Sequence, residues 1–502
     1  MHNYIFVYRE GEFLVSETII PIQEVAVVQI SLPKIIQGGM GVGVSNWRLA
    51  QAVSRIGQLG VVSGTALDVV LARRLQEGDP GGDVRRAMSH FTFPRIAQRI
   101  QEALFVPGGR KPGEPFKLMG MHAIKSKRWL DDLCMVSNFV EVYLAKEGHS
   151  NPVGINYLEK IQLPHLPSIY GAMLAGVAVV IVGAGIPVEM PRVLDVLAMH
   201  QPATYPIRVL GAQADTVSHT VFDPAVYLEE TPGLPNLYRP DFLPIVSSDA
   251  LASMLVRKAN GRIDGFVIEG PRAGGHNAPP RGVLQLTADG QPLYGARDAV
   301  NLAAMRKLGL PFWLAGSYGS PEGLRAALAE GAAGVQVGTA FALCSESGLL
   351  PDIRLALVRK ALAGEARVFT DPAASPTGFP FKVVQLEGTL SEDTVYQQRR
   401  RVCDLGFLRE AYRQDDGTVG YRCPAEPESS FLAKGGKPEE LVGRKCVCNG
   451  LSANIGMAQL LSNGSQELAL LTLGDGFDEI GRFCTPDAPD YTAADVVRRL
   501  LG

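Results

Sequence analysis

The chain has 502 residues, an ordinary globular composition and a formal net charge of -3. Its length suggests one large domain with an addition, or two to four ordinary ones, and the near balance of charge offers no basic footprint for nucleic acid or an anionic membrane. The opening MHNYIFVYREGEF lacks the basic segment and apolar core of a secretory leader, so a cytoplasmic location is expected. The first 30 residues are weakly patterned and read as an entry hairpin or cap. PKIIQGGM (Pro33–Met40) follows as a short strand ending in a double glycine. Ser45 is placed to cap a helix over NWRLAQAVSRIGQL, where Leu49, Val53, Ile56 and Leu59 recur at helical spacing, and VVSGT is the next strand.

From about 68 to 148 the pattern loosens into an insertion, with helices near DVVLARRLQ and FPRIAQRIQEALFV and strand-like FKLMGM and VEVYLA. Ile161–Val188 carries no charged residue, long enough for the ~20 apolar residues of a membrane span. Pro164, His165, Pro167, Ser168 and Pro187 interrupt it, so it reads instead as a small-residue helix followed by a buried strand, VAVVIVGAG. Alternation continues through PVGINY before that helix, a helix near 188–199, and PIRVLGA. After an excursion over about 215–240 come FLPIVSS, a helix over 250–259, FVIE, PFWLAGS, a helix after Pro321, and GVQVGTAF. Strands alternating with helices over some 350 residues predict a parallel α/β fold, best a (βα)8 TIM-type barrel with its site at the carboxyl ends of the strands; a doubly wound sheet is the alternative. The expected division is a barrel over 1–370 and a Cys-containing C-terminal extension over 371–502.

The chemistry concentrates in a few loops. Glu269, Gly274, Gly275 and His276 follow one strand, where glycines admit a ligand close to the backbone and a histidine can move protons. Gly316-Ser317 and Gly338-Thr339 follow the last two barrel strands, where such loops commonly hold a phosphate through backbone N–H groups; the Ser317 and Thr339 hydroxyls can add hydrogen bonds. Gly183-Ala184-Gly185 starts like a dinucleotide fingerprint but lacks the third glycine, and reads as a barrel strand with its loop. Beyond 370, Cys403, Cys423, Cys446 and Cys448 can supply four thiolates to zinc or an iron–sulfur cluster. The C-x-C pair departs from the usual C-x2-C knuckle, and buried free thiols are the competing reading. Cys134 and Cys344 read as core.

Together QGGM, the Gly154–Asn156 tripeptide GIN, AGGH at Ala273–His276, the Gly316 loop and VGTAF resemble the nitronate monooxygenase (2-nitropropane dioxygenase) family. These are FMN-dependent (βα)8 barrels related to flavin-dependent enoyl-thioester reductases. The resemblance covers about Pro33 to Leu343. It implies that Gly39 and Met40 lie along the flavin ring, that Asn156 bonds its polar edge, and that Glu269 stands near the ribityl chain. It further implies that Gly275 is a close-approach glycine, that Gly316, Ser317, Gly338 and Thr339 cradle the phosphate, and that His276 is the catalytic base. Two departures touch the cofactor: Ser317 stands where the family usually has glycine, and FLPIVSS offers no lysine where bacterial nitronate enzymes often carry one. Arg272 and NAPPRG around AGGH also differ from the common substrate loop. The implied activity is oxidation of nitronates or nitroalkanes with O2 to carbonyl and nitrite, on a small molecule, with neither nucleic acid nor membrane as partner. An enoyl-thioester reductase using NAD(P)H, working with an acyl-carrier protein or synthase, is the enzymatic alternative. A non-catalytic barrel binding flavin or another phosphate ligand is the alternative of another class.

Overall fold

Eight short strands supply the frame: β1 Ile35–Gln37, β2 Gly60–Ser63, β3 Val153–Leu158, β4 Val179–Gly183, β5 Asp241–Val246, β6 Phe266–Glu269, β7 Phe312–Ala315 and β8 Gly334–Val337. All neighbours are parallel, in the order β1-β8-β7-β6-β5-β4-β3-β2. A parallel bridge between Ile36 and Leu59 returns β1 to β2 and closes the barrel. This is the expected (βα)8 architecture; a doubly wound sheet would have two open edges. The computed structural model describes residues 32–212, 217–461 and 463–502, and Pro33–Gly502 form one compact unit. The entry hairpin expected in the first 30 residues, and the start of the excursion at Asp215, lie outside the described residues.

Strand alternation explains the interior. Ile36, Leu59, Val61, Ile181, Leu243, Val267, Trp313 and Ala315 pack into one buried cluster, as inward-facing residues of a closed barrel must. Trp313 also donates its indole N–H to the Pro33 carbonyl at 2.8 Å. These side chains plug the barrel, so a ligand space can open only above them, at the carboxyl ends.

The insertion between β2 and β3 is helical throughout its regular parts: Leu67–Gln76, Asp83–Met88, Pro94–Leu104 and Arg128–Lys146. VEVYLA, expected as a strand, is the last third of the helix Arg128–Lys146. Its local two-residue alternation is overridden because the helix is buried on nearly all sides, with Glu141 paired to Arg74 at 2.5 Å and accepting from the Trp47 N–H at 2.8 Å. FKLMGM forms no strand. PIRVLGA contributes to Ala203–Ile207, paired antiparallel with Ser218–Phe222, and to Val209–Leu210, which joins Glu410–Arg413; none enters the barrel. Ile161–Val188 splits into the helix His165–Leu174 and β4, as its prolines and glycines indicated. Among the described residues no helix is long and apolar enough to cross a membrane.

The boundary expected at 370/371 separates no two bodies. The final helix, Ala493–Leu501, packs on both Trp47–Arg55 and Pro321–Ala329, filling the place of the barrel's eighth helix. Tyr491 anchors it by donating to the Ala340 carbonyl at 2.8 Å, and Asp490 pairs with the buried Arg354 at 2.7 Å. The segment beyond 370 thus completes the barrel rather than following it.

Candidate active site

The first wall is built from β1 and the turn after it. Gln37 is fully buried; its Oε1 accepts from the Val61 N–H at 3.0 Å and its Nε2 donates to Ser45 Oγ at 2.9 Å. Ser45 Oγ donates to the Gly38 carbonyl at 2.8 Å and accepts from the Met40 N–H at 2.9 Å. Ser45 therefore shapes the Gly38–Met40 loop. The helix cap expected of it falls to Asn46, whose side chain accepts from the Leu49 N–H at 3.0 Å. Opposite this loop stands Asn156 at the middle of β3. A Cβ built on Gly39 would lie 2.4 Å from the Asn156 Cβ, so only glycine lets β1's turn reach so close. The Asn156 side-chain amide faces the cavity and bonds to no other described residue.

The second wall is the loop after β6. Glu269 ends that strand and faces the cavity, where desolvation raises its carboxyl to about 8. It is a protonated acid at neutral pH. The His276 imidazole packs on Phe381, with ring centroids 4.8 Å apart, and its Nε2 lies 2.7 Å from Ser375 Oγ. Burial, with a smaller contribution from the Lys160 ammonium, lowers its pKa to about 4. Main-chain bonds stitch this loop to the C-terminal segment: Lys382 N donates to Gly275 O and Asn277 N to Pro380 O, each at 2.9 Å. Gly275 N donates to Thr472 Oγ1 at 2.9 Å. Asp475 N donates to Arg272 O at 3.0 Å, while the Asp475 carboxylate holds the buried Lys382 ammonium at 2.8 Å.

The third wall follows β7 and β8. Gly316 and Ser317 both have positive φ, 100° and 66°. Ser317 thus adopts a backbone conformation that glycine holds at less cost, and its buried Oγ has no hydrogen-bond partner among the described residues. Gln336 Oε1, also on this wall, is likewise buried without a partner. Thr339 differs from expectation: its hydroxyl is already engaged, donating to Gly474 O at 3.2 Å and accepting from Gly474 N at 3.1 Å.

One cavity of about 1510 Å³ joins the three walls, and Gly39, Met40, Asn156, Glu269, Gly275, His276, Gly316, Ser317, Gly338 and Thr339 all line it. All ten of these expected residues, carried on five different strands or the loops after them, therefore meet in one space. A phosphorylated flavin fits what the walls offer: orphaned polar atoms at Ser317 and Gln336, and loops without Cβ atoms at Gly39, Gly316 and Gly338. Sequence reasoning missed Ser375, Phe381, Thr472 and Gly474. The TLGDG run at Thr472–Gly476 is a glycine-rich turn that could have drawn attention to the last two; Ser375 carries no comparable signal.

A second, smaller cavity of about 290 Å³ lies behind the first, lined by Cys403, Cys423, Cys446 and Cys448. Leu408, Val447 and Cys448 line both cavities. Burial pushes the Cys403 thiol up to about 12 and raises the other three. Among the described residues the group whose ligand atoms all lie within 4.8 Å of one another is a different one, Asp68, His122 and Cys134. Cys134, expected as plain core, is indeed buried but sits 4.0 Å from His122 Nε2, which bonds Asp68 at 2.9 Å.

Residues 234–370 match the family model described as nitronate monooxygenase. Over 117 residues the chain is 39% identical to the nitronate monooxygenase of Pseudomonas aeruginosa, a stretch covering 23% of this chain and 32% of that one. The match thus spans about a third of that relative's length. Among solved structures, FabK from Thermotoga maritima aligns with a TM-score of 0.44 at 17% identity, covering 93% of this chain and 91% of that one. Nitroalkane oxidase from Streptomyces ansochromogenes aligns with a TM-score of 0.44 at 15% identity, covering 93% and 95%.

Proposed function

We propose that this chain, which is of the nitronate monooxygenase type over residues 234–370, is an FMN-dependent oxidoreductase that oxidises a nitronate or nitroalkane with O2. Gly39, Met40 and Asn156 would hold the flavin ring, Glu269 and Gly275 the chain below it, and Gly316, Ser317, Gly338 and Thr339 the phosphate. The chemistry that FMN supplies when bound is acceptance of an electron pair and its return to O2.

The observation that carries the reading is the neutral imidazole of His276. With a pKa near 4 it is unprotonated at neutral pH, so it is equipped to take a proton rather than to give one. Ser375 Oγ also contacts Thr377 Oγ1 at 2.8 Å. We assign the Ser375 proton to that contact, so that His276 Nε2–H donates to Ser375 and Nδ1 presents its lone pair. Nδ1 would remove the α-proton of a neutral nitroalkane; a preformed nitronate needs no base. Phe381 covers part of the imidazole, with ring centroids 4.8 Å apart.

A second reading, reduction of an enoyl thioester with NAD(P)H, draws on the cavity's apolar lining. Phe381, Phe407, Leu408 and Leu451 line it and would pack against an acyl chain beside a cofactor. An acyl-carrier protein or a synthase would be the partner in that case.

The test is anaerobic reduction of the purified, FMN-loaded chain. Bleaching by an alkyl nitronate, with nitrite released on admitting air, is the expected result. Bleaching by NADPH alone, followed by turnover of an enoyl thioester, would replace the first reading with the second. No bleaching by either donor would leave a ligand-binding barrel without this chemistry.

A further inference from the structure

We propose that Cys403, Cys423, Cys446 and Cys448 are the four terminal ligands of an iron–sulfur cluster seated in the smaller cavity, against the wall of the main one. The four thiols come from three separate stretches of chain. Cys403 lies in the loop after the helix Asp393–Gln398, Cys423 follows the strand Val419–Arg422, and Cys446 and Cys448 stand at the start of the helix Val447–Ala453. The fold brings all four around one small pocket.

Spacing distinguishes the occupant. A single zinc ion with Zn–S bonds of about 2.3 Å draws its thiolates to about 3.8 Å from one another. The four Sγ atoms do not form a group of three within 4.8 Å. A [4Fe–4S] cluster holds each of its four thiolates on a different iron atom and so further apart.

Charge points the same way. Arg409 lines this cavity, and its guanidinium donates to two carbonyls, Gly406 O at 3.0 Å and His122 O at 2.7 Å. Among the described residues no carboxylate lies within ion-pair distance of it. Glu426 is near enough to act on this partly buried guanidinium, and a four-thiolate cluster, which is anionic, would add to that stabilisation. Asn449 Nδ2 donates to Cys446 Sγ at 3.7 Å, the kind of N–H to sulfur bond that steadies a cluster and tunes its potential. Cys423 and Cys446 are each 7% exposed, which shields the site from solvent.

This assignment stands apart from the flavin reading, since its readout counts atoms whether or not a flavin is present. The full chain is produced and purified without oxygen, and iron, acid-labile sulfide and zinc are measured per chain. Iron and sulfide in about equal amounts, at roughly four of each, are expected, with visible absorption beyond that of any flavin. Cys423→Ser and Cys446→Ser should each lose most of both, while Cys484→Ser, outside the cavity, should keep both. One zinc per chain without sulfide, or wild-type protein free of metal under these conditions, would overturn the proposal. So would retention of full iron and sulfide by both cavity variants.

Discussion

Ser375 Oγ lies 2.7 Å from Nε2 of His276, across 99 positions of sequence. The contact engages Nε2 and so leaves Nδ1 as the nitrogen to act as base in the proposed reaction. Ser375→Ala should lower kcat about tenfold to a hundredfold through misorientation of the base, with the flavin spectrum unchanged. Steady-state turnover beside an absorption spectrum checks this; undiminished kcat would show that the ring needs no such support.

Two half-buried groups that line the cavity set opposite pH limits. His276 has its pKa depressed to about 4. The unfolded chain therefore takes up a proton first, and stability falls as pH drops from about 6.5 toward 4. Glu269 has its pKa raised to about 8; its favourable contribution is complete below about 4.5 and is lost as pH rises through 8. In flavin-free protein, Glu269→Gln should raise the melting temperature by a few degrees at about pH 8 and change it little near pH 4. Thermal melts at the two pH values decide it, and an equal shift at both would contradict the desolvated carboxyl.

Gly39→Ala places a Cβ 2.4 Å from the Asn156 Cβ. Overpacking of this kind costs about 1–3 kcal/mol, and the displaced wall should weaken FMN binding at least about tenfold. Flavin retained after dialysis, together with the melting temperature, measures both effects.

Ser317 offers a test in which stability and binding move apart. Glycine at φ 66° relieves backbone strain, so Ser317→Gly should stabilise the flavin-free protein by about 1 kcal/mol. Loss of the Oγ should weaken FMN binding about fivefold, the worth of one hydrogen bond. Denaturation and flavin titration give the two numbers, and tighter binding by the glycine variant would remove Ser317 from the phosphate site.

A chain ending at residue 370 should fail to hold flavin. It would lose the eighth-helix element Ala493–Leu501, the Thr472 acceptor of Gly275 N–H, and the Gly474 contacts of Thr339. Soluble expression with bound flavin would refute the integration of the C-terminal segment into the barrel.

Much of the barrel was legible in the sequence because its signals are local. Most strands are short apolar runs closely followed by a glycine, serine or asparagine, and some loop glycines, Gly39 among them, mark places where backbone comes near a neighbour. PKIIQGGM, PVGINY, FVIE, PFWLAG and GVQVG all became barrel strands on that basis. The errors arose where a local pattern met a distant partner. VEVYLA alternates like a strand, yet burial among helices on several sides and the Glu141–Arg74 pair hold it helical. Ser45 has the chemistry of a cap, yet the buried carbonyl and N–H of the Gly38–Met40 loop claim its hydroxyl.

By itself the sequence determined the strand and helix alternation, the residues whose loops end at one mouth, and the unusual concentration of cysteines beyond 370. Those follow from periodicity and composition, which act between near neighbours. Tertiary structure alone decided that the last 130 residues complete the barrel, that Ser375 holds His276, and that four scattered cysteines surround one cavity. Such contacts join positions tens to hundreds of residues apart, and what creates them is the burial of backbone N–H groups and side chains that must find partners wherever the folded chain supplies them.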